Sequence, residues 1–429
     1  MTFFILTFGC KVNQCESEDI YLAMKNSGFE GCNDYETADI VILNSCAVTA
    51  ESVRKMRQAI HKVKKINRDS VVAVTGCVAQ TEPENVKKIE GVDIVVGNTV
   101  KSDIPRIIEN HLSTSNGAVN VSPIFKISGF QNSGVNHAPH RSRAFLKIED
   151  GCNRFCSYCI IPYARGQVRS KSIEDIRFDV ESLAKNGYKE IVLVGINLSS
   201  YGVDIGKNLA DAVETVCAVD GVERVRLSSL EPDLMTDEIL KRLATQPKLC
   251  RQFHLALQSG SDSILKKMRR KYTAEEYLCT VNKIRSMFPC ATFTTDLIVG
   301  FPSEAEEDFN KSLELIDKVG FLKVHVFPYS VRSGTAAEKF DDQISRAVKA
   351  ERVRAVIAKS SENCQKVLAS FIGKTCEVLY ETVDDDGFYE GYTKEYIPVK
   401  TRSIKDLRGE ILPTKMGEIN NDYILCDYI

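Results

Sequence analysis

The chain has little of several features that would place it in a class at once. No apolar run approaches the roughly 18–20 residues that a membrane-spanning helix needs, so no membrane association is expected. The opening Met-Thr-Phe-Phe-Ile-Leu-Thr-Phe has neither a basic stretch nor a small-residue cleavage site, the marks of a secretory leader, and the expectation is a cytoplasmic protein. An excess of charge of one sign is missing too: 56 Lys and Arg face 58 Asp and Glu, a formal net charge of −2. Bulk electrostatics therefore do not announce nucleic acid, and any such contact must use local patches. There is no internal repeat.

Cysteine is what the chain has in quantity, 15 residues in 429. An odd number, spread along a chain without a leader, argues against a disulfide framework and for thiolates used as metal ligands or buried as small apolar groups. Hydrophobic residues at 43% and charged ones at 27% are ordinary for a globular protein, and the length predicts roughly two to four domains.

The fold class is α/β. Phe3–Thr7, Asp39–Leu43, Val71–Thr75 and Val92–Val96 are short β-branched runs separated by helical patterns such as Val53, Met56, Ile60 and Val63, which predicts a parallel α/β layer over residues 1–111. Residues 112–140 are polar and irregular and read as a linker. Six strand-like runs follow within 141–371: Ala144–Ile148, Glu190–Val194, Arg224–Ser228, Phe253–Leu257, Thr292–Val299 and Lys323–Phe327. Joined by right-handed crossovers, these make a curved parallel sheet whose strand C-termini carry the chemistry. A helix is expected from about Ser345 to Phe371, then a small all-β domain over 372–429, with strands at Glu377–Glu381, Phe388–Tyr392 and Tyr423–Cys426.

Two sets of cysteines stand out. Cys152, Cys156 and Cys159 form CxxxCxxC on the loop leaving the first strand of the second domain. Three soft thiolates at that spacing select zinc, copper(I) or iron–sulfur, and three rather than four leave the site open. A zinc knuckle without its fourth ligand is the rival reading. In the first domain Cys10, Cys46 and Cys77 each sit just past the carboxyl end of an expected parallel strand. Parallel strands present those ends on one edge, so the three thiols converge there as a second open site; the alternative is inert buried thiols. Cys15, near a helix start, competes as a ligand. Cys32, Cys217, Cys250, Cys279, Cys290, Cys364, Cys376 and Cys426 have no metal-ligand spacing.

The CxxxCxxC loop with Tyr158 before its last cysteine resembles the radical S-adenosylmethionine (SAM) superfamily, which implies a partial (β/α)6 barrel. The whole arrangement, with the three scattered cysteines and the β end domain, resembles the methylthiotransferase family. Gly9-Cys10-Lys11-Val12-Asn13 with Glu16-Ser17 looks like its branch acting on N6-threonylcarbamoyladenosine in tRNA, as does Ser228-Ser229-Leu230-Glu231-Pro232. Cys159–Gly166, Gly195–Asn197, His254–Asp262 and Asp296–Pro302 also match, while Cys15 and Ser303 depart from residues common there. The last domain resembles TRAM, an RNA-binding barrel.

The resemblance implies two [4Fe–4S] clusters, one on Cys10, Cys46 and Cys77 and one on Cys152, Cys156 and Cys159, with SAM serving as methyl donor and as the source of a 5′-deoxyadenosyl radical. The adenine at position 37, beside the anticodon, exchanges its C2–H for a methylthio group, with an electron donor and a sulfur source as further partners. Tyr158 would lie against the SAM adenine, with Ser228 and Glu231 near SAM or the threonylcarbamoyl group. Gln258 at a strand end and Asn197 after Gly195 are candidate hydrogen-bonding partners of SAM. Basic residues cluster at 266–271, along Arg54, Lys55, Arg57, Lys62, Lys64, Lys65 and Arg68, and at Arg141, Arg143, Arg154, Arg165 and Arg169, as candidate phosphate contacts or solvated faces. From Lys374 to Ile429 the balance is seven basic to twelve acidic residues, so RNA contact there needs a confined face around Lys394, Lys400, Arg402, Lys405 and Arg408, with Tyr392 or Tyr396 stacking on a base. Alternatives are the branches acting on isopentenyl-adenosine or on a ribosomal-protein aspartate, and a noncatalytic metal-bound RNA-binding module.

Overall fold

A computed structural model describes residues 1–48, 50–114, 117–127, 129–131 and 142–428. The apolar, β-branched runs of the first domain pair as a parallel sheet: β1 (Thr2–Thr7), β2 (Glu30–Gly31), β3 (Ile40–Ser45), β4 (Val71–Gly76), β5 (Ile94–Val96) and β6 (Ala118–Asn120), in the order β2-β1-β3-β4-β5-β6. Strands β3 and β4 are buried at every position, as a sheet covered on both faces requires. Helices α1 (Lys11–Asn26), α2 (Ala50–Ile66) and α3 (Cys77–Thr81) leave the carboxyl ends of β1, β3 and β4.

The structure departs from the expected linker. Residues 118–120 form β6, at the sheet edge, and residues 124–126 form one 3-10 turn. Three residues are too few to show an alternating pattern, so the strand exists through its pairing with β5 and leaves no local signal. Residues 115–116, 128 and 132–140 of that segment, and Arg141, lie outside the described residues.

Six parallel strands make the central domain: β7 (Arg143–Lys147), β8 (Glu190–Val194), β9 (Arg224–Leu227), β10 (Gln252–Leu255), β11 (Thr292–Val299) and β12 (Lys323–Pro328). Their order follows the chain. Leu249, just ahead of β10, bridges to Val225 of β9, and Ser229–Leu230, just past β9, pairs with β10; together these join the two halves into one curved, open sheet. Helix α1 of the first domain is wedged into this curve, where Val12 and Cys15 pack on Val192 and Val194 of β8. The expected long helix is α4 (Arg346–Ala369), with the Ser345 hydroxyl accepting from the Val348 N–H at 3.3 Å as its cap.

The chain ends in a closed barrel of β13 (Thr375–Val383), β14 (Phe388–Thr393), β15 (Pro398–Arg402), β16 (Ile411–Asn420) and β17 (Tyr423–Tyr428). It is fixed to the central sheet by two buried arginines. Arg224 donates to the carbonyls of Glu377 and Tyr392, and Arg226 to those of Thr393 and Lys394, while Glu190 balances both charges. Glu190→Ala would strand two buried guanidinium groups, a loss of about 3–5 kcal/mol. A lower thermal midpoint and faster protease release of the barrel are expected; a wild-type midpoint and cleavage pattern would contradict this docking.

Candidate active site

The two cysteine sets meet at one chamber. A cavity of about 1010 Å³ is lined by Cys10 and Cys46 from the first domain and by Cys152, Cys156 and Cys159 from the second, together with Tyr158, Asn197, Ser228, Glu231 and Gln258. Cys77 is buried at the start of α3, behind that wall.

The first trio is gathered by backbone ties between strand ends. The buried Asn13 amide donates to the carbonyls of Phe8 (3.0 Å) and Ser45 (3.1 Å), and Ser45 Oγ donates to the Thr75 carbonyl (2.5 Å). Residues just before Cys10, Cys46 and Cys77 are thereby held together. Gly9 permits the close approach: its φ is +118°, and a Cβ there would lie 2.7 Å from the Cβ of Cys46. Burial, with Cys77 next in effect, pushes the Cys46 thiol up to about 12, and burial also raises Cys10, against the opposing charge of Arg165. Such thiols stay protonated until a cation displaces the proton, which suits metal ligands and not free nucleophiles.

The second trio rides on a loop that leaves β7. Its ends are closed by the Cys152 N–H on the Gly166 carbonyl (3.0 Å), and its middle is pinned by Ser157, whose N–H and Oγ donate to the carbonyls of Met268 (3.1 Å) and Lys267 (2.7 Å). Burial pushes Cys152 up to about 11 and raises Cys159, with Cys156 adding to both. Among the described residues no three Cys, His, Asp or Glu side chains close on a point that one ion would fill.

The other predicted residues surround the same space. Tyr158 packs edge-on against Phe301, with ring centres 6.4 Å apart. Asn197 donates its backbone N–H to Glu149 at 2.8 Å, and its buried side-chain Nδ2 has no partner. Ser228 Oγ accepts the Gly195 N–H at 3.4 Å. Gln258 holds φ +66°, a left-handed conformation costly for a side chain and kept by backbone bonds to Asp296 and Ile298. Cys15 is not among the gathered thiols. It is buried in the apolar contact of α1 with β8.

Several assignments need correction. Arg270, read within a basic cluster, is buried, pairs with Glu231 and points Nη1 at Cys156 Sγ (3.4 Å). Arg143 pairs with Glu381 (3.1 Å) and Glu190, and Arg154 pairs with Asp233 (2.7 Å). Arg165 is buried on Glu16 and Asp150, and Arg169 donates to the carbonyls of Arg165 and Gln167. None of these is free for phosphate. On the barrel, Lys394 pairs with Glu377, Lys400 with Asp384 and Glu390, and Arg408 with Asp406. Tyr392 and Tyr396 stack on each other at 4.4 Å beneath Arg143. Along α2, Arg54 and Lys64 are paired locally with Glu51 and Asp93.

The comparisons with known proteins agree with this geometry. The model of the uncharacterized protein family UPF0004 matches residues 2–97, and that of the radical SAM superfamily matches residues 146–316. Threonylcarbamoyladenosine tRNA methylthiotransferase MtaB of Bacillus subtilis is 38% identical, over 97% of this chain and 94% of that protein. The chain belongs to the radical SAM methylthiotransferase family. A Clostridium botulinum tRNA-2-methylthio-N(6)-dimethylallyladenosine synthase is 36% identical over 98% of this chain and 95% of its own length. Among solved structures, the radical SAM methyltransferase TsrM of Kitasatospora setae shares the fold at a TM-score of 0.58 with 14% identity, covering 78% of this chain and 76% of that one.

A radical SAM methylthiotransferase works with SAM and [4Fe–4S] clusters, and the donors here fit them: two sets of soft thiols, and an unpartnered buried amide at Asn197 facing the same space. Sequence reasoning missed Glu149. Burial raises its carboxyl to about 8, and it accepts the N–H of Asn197 while a Cβ on Gly195 would collide with it at 2.6 Å. Unfolded, this carboxyl ionises near 4.5; folded, it holds its proton to about 8, so folding takes up a proton and stability falls as pH rises between those values. Glu149→Gln should remove that slope. Its thermal midpoint should match wild type near pH 5 and exceed it at pH 8, by a stability of about 1–4 kcal/mol; parallel pH profiles would refute the assignment.

Proposed function

We propose that this enzyme converts N6-threonylcarbamoyladenosine at position 37 of cytoplasmic tRNA to its 2-methylthio derivative. The observation that carries the reading is the single chamber lined by Cys10 and Cys46 of the first set and by all three cysteines of the second, with charged groups in the same lining. Cys10, Cys46 and Cys77 hold one [4Fe–4S] cluster and Cys152, Cys156 and Cys159 the other, while Tyr158, Asn197, Ser228, Glu231 and Gln258 contact SAM. When bound, these cofactors supply the radical that breaks the adenine C2–H bond and the methylthio group that replaces hydrogen, chemistry that side chains alone do not provide.

The chain's own residues set the geometry. Asn13, Ser45 and Gly9 draw the first trio together, the pinned Ser157 fixes the second, and Arg270 brings a positive charge to Cys156 while orienting Glu231. Packing α1 against β8 brings the domain that carries the first set onto the domain that carries the second. Names of relatives with both nucleoside substrates are nearly equal in identity, so the choice between them rests on the chamber. Lys11, Lys323 and Arg332 line it without a carboxylate partner among the described residues, beside the carboxylates Glu231, Asp296 and Asp422, and unpaired cations favour the carboxylate-bearing threonylcarbamoyl group over an isopentenyl group, which has no charge to meet them. An electron donor and a sulfur source are further partners.

Anaerobically reconstituted enzyme, incubated with SAM, reductant and tRNA carrying threonylcarbamoyladenosine, should yield the 2-methylthio nucleoside by mass spectrometry of the digest. Conversion of isopentenyl-adenosine instead would replace this reading with the alternative. Cys156→Ala should abolish 5′-deoxyadenosine formation, whereas Cys77→Ala should lose about half the iron yet still cleave SAM; the reverse pattern would overturn the assignment of the two sets.

A further inference from the structure

The chamber's charged groups are not equally engaged. Glu231 is paired with Arg270, and Asp296 lies 3.4 Å from His254. Arg143 and Arg226 are neutralised by Glu190 and Glu381. Three cations of the lining, Lys11, Lys323 and Arg332, have no carboxylate partner among the described residues, and Arg332 donates to the Val48 carbonyl; Lys11 is accessible from the cavity. It opens α1 directly after Cys10, and its Nζ lies 6.0 Å from the centre of the Phe145 ring on β7. Arg143 and Arg226 are close enough to act on it. Glu190, which balances those two arginines, lies too far from Lys11 to pair with it, and an unpaired cation facing an enclosed space favours an incoming anion, because the low local dielectric strengthens that attraction.

We propose that Lys11 is a specificity residue whose ammonium pairs with the carboxylate of the threonylcarbamoyl group. The inference rests on the substrate proposed above. Lys11 follows Cys10 in the chain and lines the same cavity as the thiols, so a base presented to the thiols lies in the same space as this side chain. Lys323 also lines the cavity and has no carboxylate partner among the described residues, but it begins β12, at the other edge of the open sheet from β7, whose Phe145 lies beside Lys11.

The test uses the reconstituted full-length enzyme without SAM, and fluorescence anisotropy with two anticodon stem-loops. One carries threonylcarbamoyladenosine; the other has its carboxylate replaced by a primary carboxamide. Wild type should bind the acid about ten- to a hundredfold more tightly, the range of one charge-assisted hydrogen bond. Lys11→Met should bring the two within about twofold, while Lys11→Arg and Lys323→Met keep the preference. Equal binding of both RNAs by wild type, an undiminished preference in Lys11→Met, or loss of preference in Lys323→Met would overturn the proposal. If wild type modifies an isopentenyl-adenosine stem-loop and leaves the threonylcarbamoyl one untouched, the substrate reading itself fails, which is a separate result.

Discussion

Everything at the chamber depends on one buried charge cluster between the first two domains. Glu16 on α1 accepts from Arg165 and Lys101 and lies 3.2 Å from Lys147, and Arg165 also reaches Asp150 at 3.3 Å and the Asn13 Oδ1 at 3.1 Å. Burial alone would raise the Glu16 carboxyl; Arg165, Lys101 and Lys147 instead hold it well below its ordinary range. Such a cluster contributes little net stability over an apolar contact, but removing one member is costly, because the charges left behind have no water to replace it. Its effect is therefore on geometry. Asn13, which ties two strand ends of the first trio, and Arg165, six residues beyond Cys159, are held to one another, so the distance between the two cysteine sets is set by these bonds.

Arg165 has a second consequence. Its charge acts on Cys10 and Cys46, lowering the cost of thiolates that burial otherwise makes high. Arg270 stands in the corresponding place for the second set, 3.4 Å from Cys156. Each trio thus has one buried guanidinium beside it, and each guanidinium is fixed by a glutamate, Glu16 or Glu231. Thiolate ligands bring negative charge into a low-dielectric wall, and a fixed cation beside each set offsets part of it without occupying a ligand position.

How much of this could be read from the sequence follows from the range of the interactions. The six strands of the central sheet appear within a residue or two of their expected places, because β8 and β11 are largely buried β-branched runs and the others are short stretches carrying buried apolar residues such as Leu146, Val225, Phe253 and Val324. Both cysteine sets were legible for a related reason: spacing marks one, and parallel strand ends mark the other. Strands β15 and β16 of the barrel were missed, since Pro398 and Pro413 interrupt runs of weak alternation and closure of the barrel supplies the missing pairing. Arg270 and Arg165 looked like surface charge because nothing local distinguishes a buried arginine whose carboxylate lies 39 or 149 residues away. Cys15 was ambiguous in the sequence, and only the contact of α1 with a strand of another domain assigns it to the core.

The backbone carries part of the same logic. Ser303, where the family commonly has glycine, holds φ +63°, and Gln258 holds +66°. Both are left-handed conformations that a side chain adopts at a cost, and both occur just past strands of the central sheet. At Ser303 the conformation is kept by bonds to Asp342, the N–H at 3.0 Å and Oγ at 3.4 Å, so serine offsets with its hydroxyl some of what glycine would avoid. At Gln258 the side chain reaches the chamber, and a glycine there would relieve the backbone while deleting the amide. Strain kept together with a side chain that faces the cavity lowers stability relative to glycine while leaving an amide in the lining.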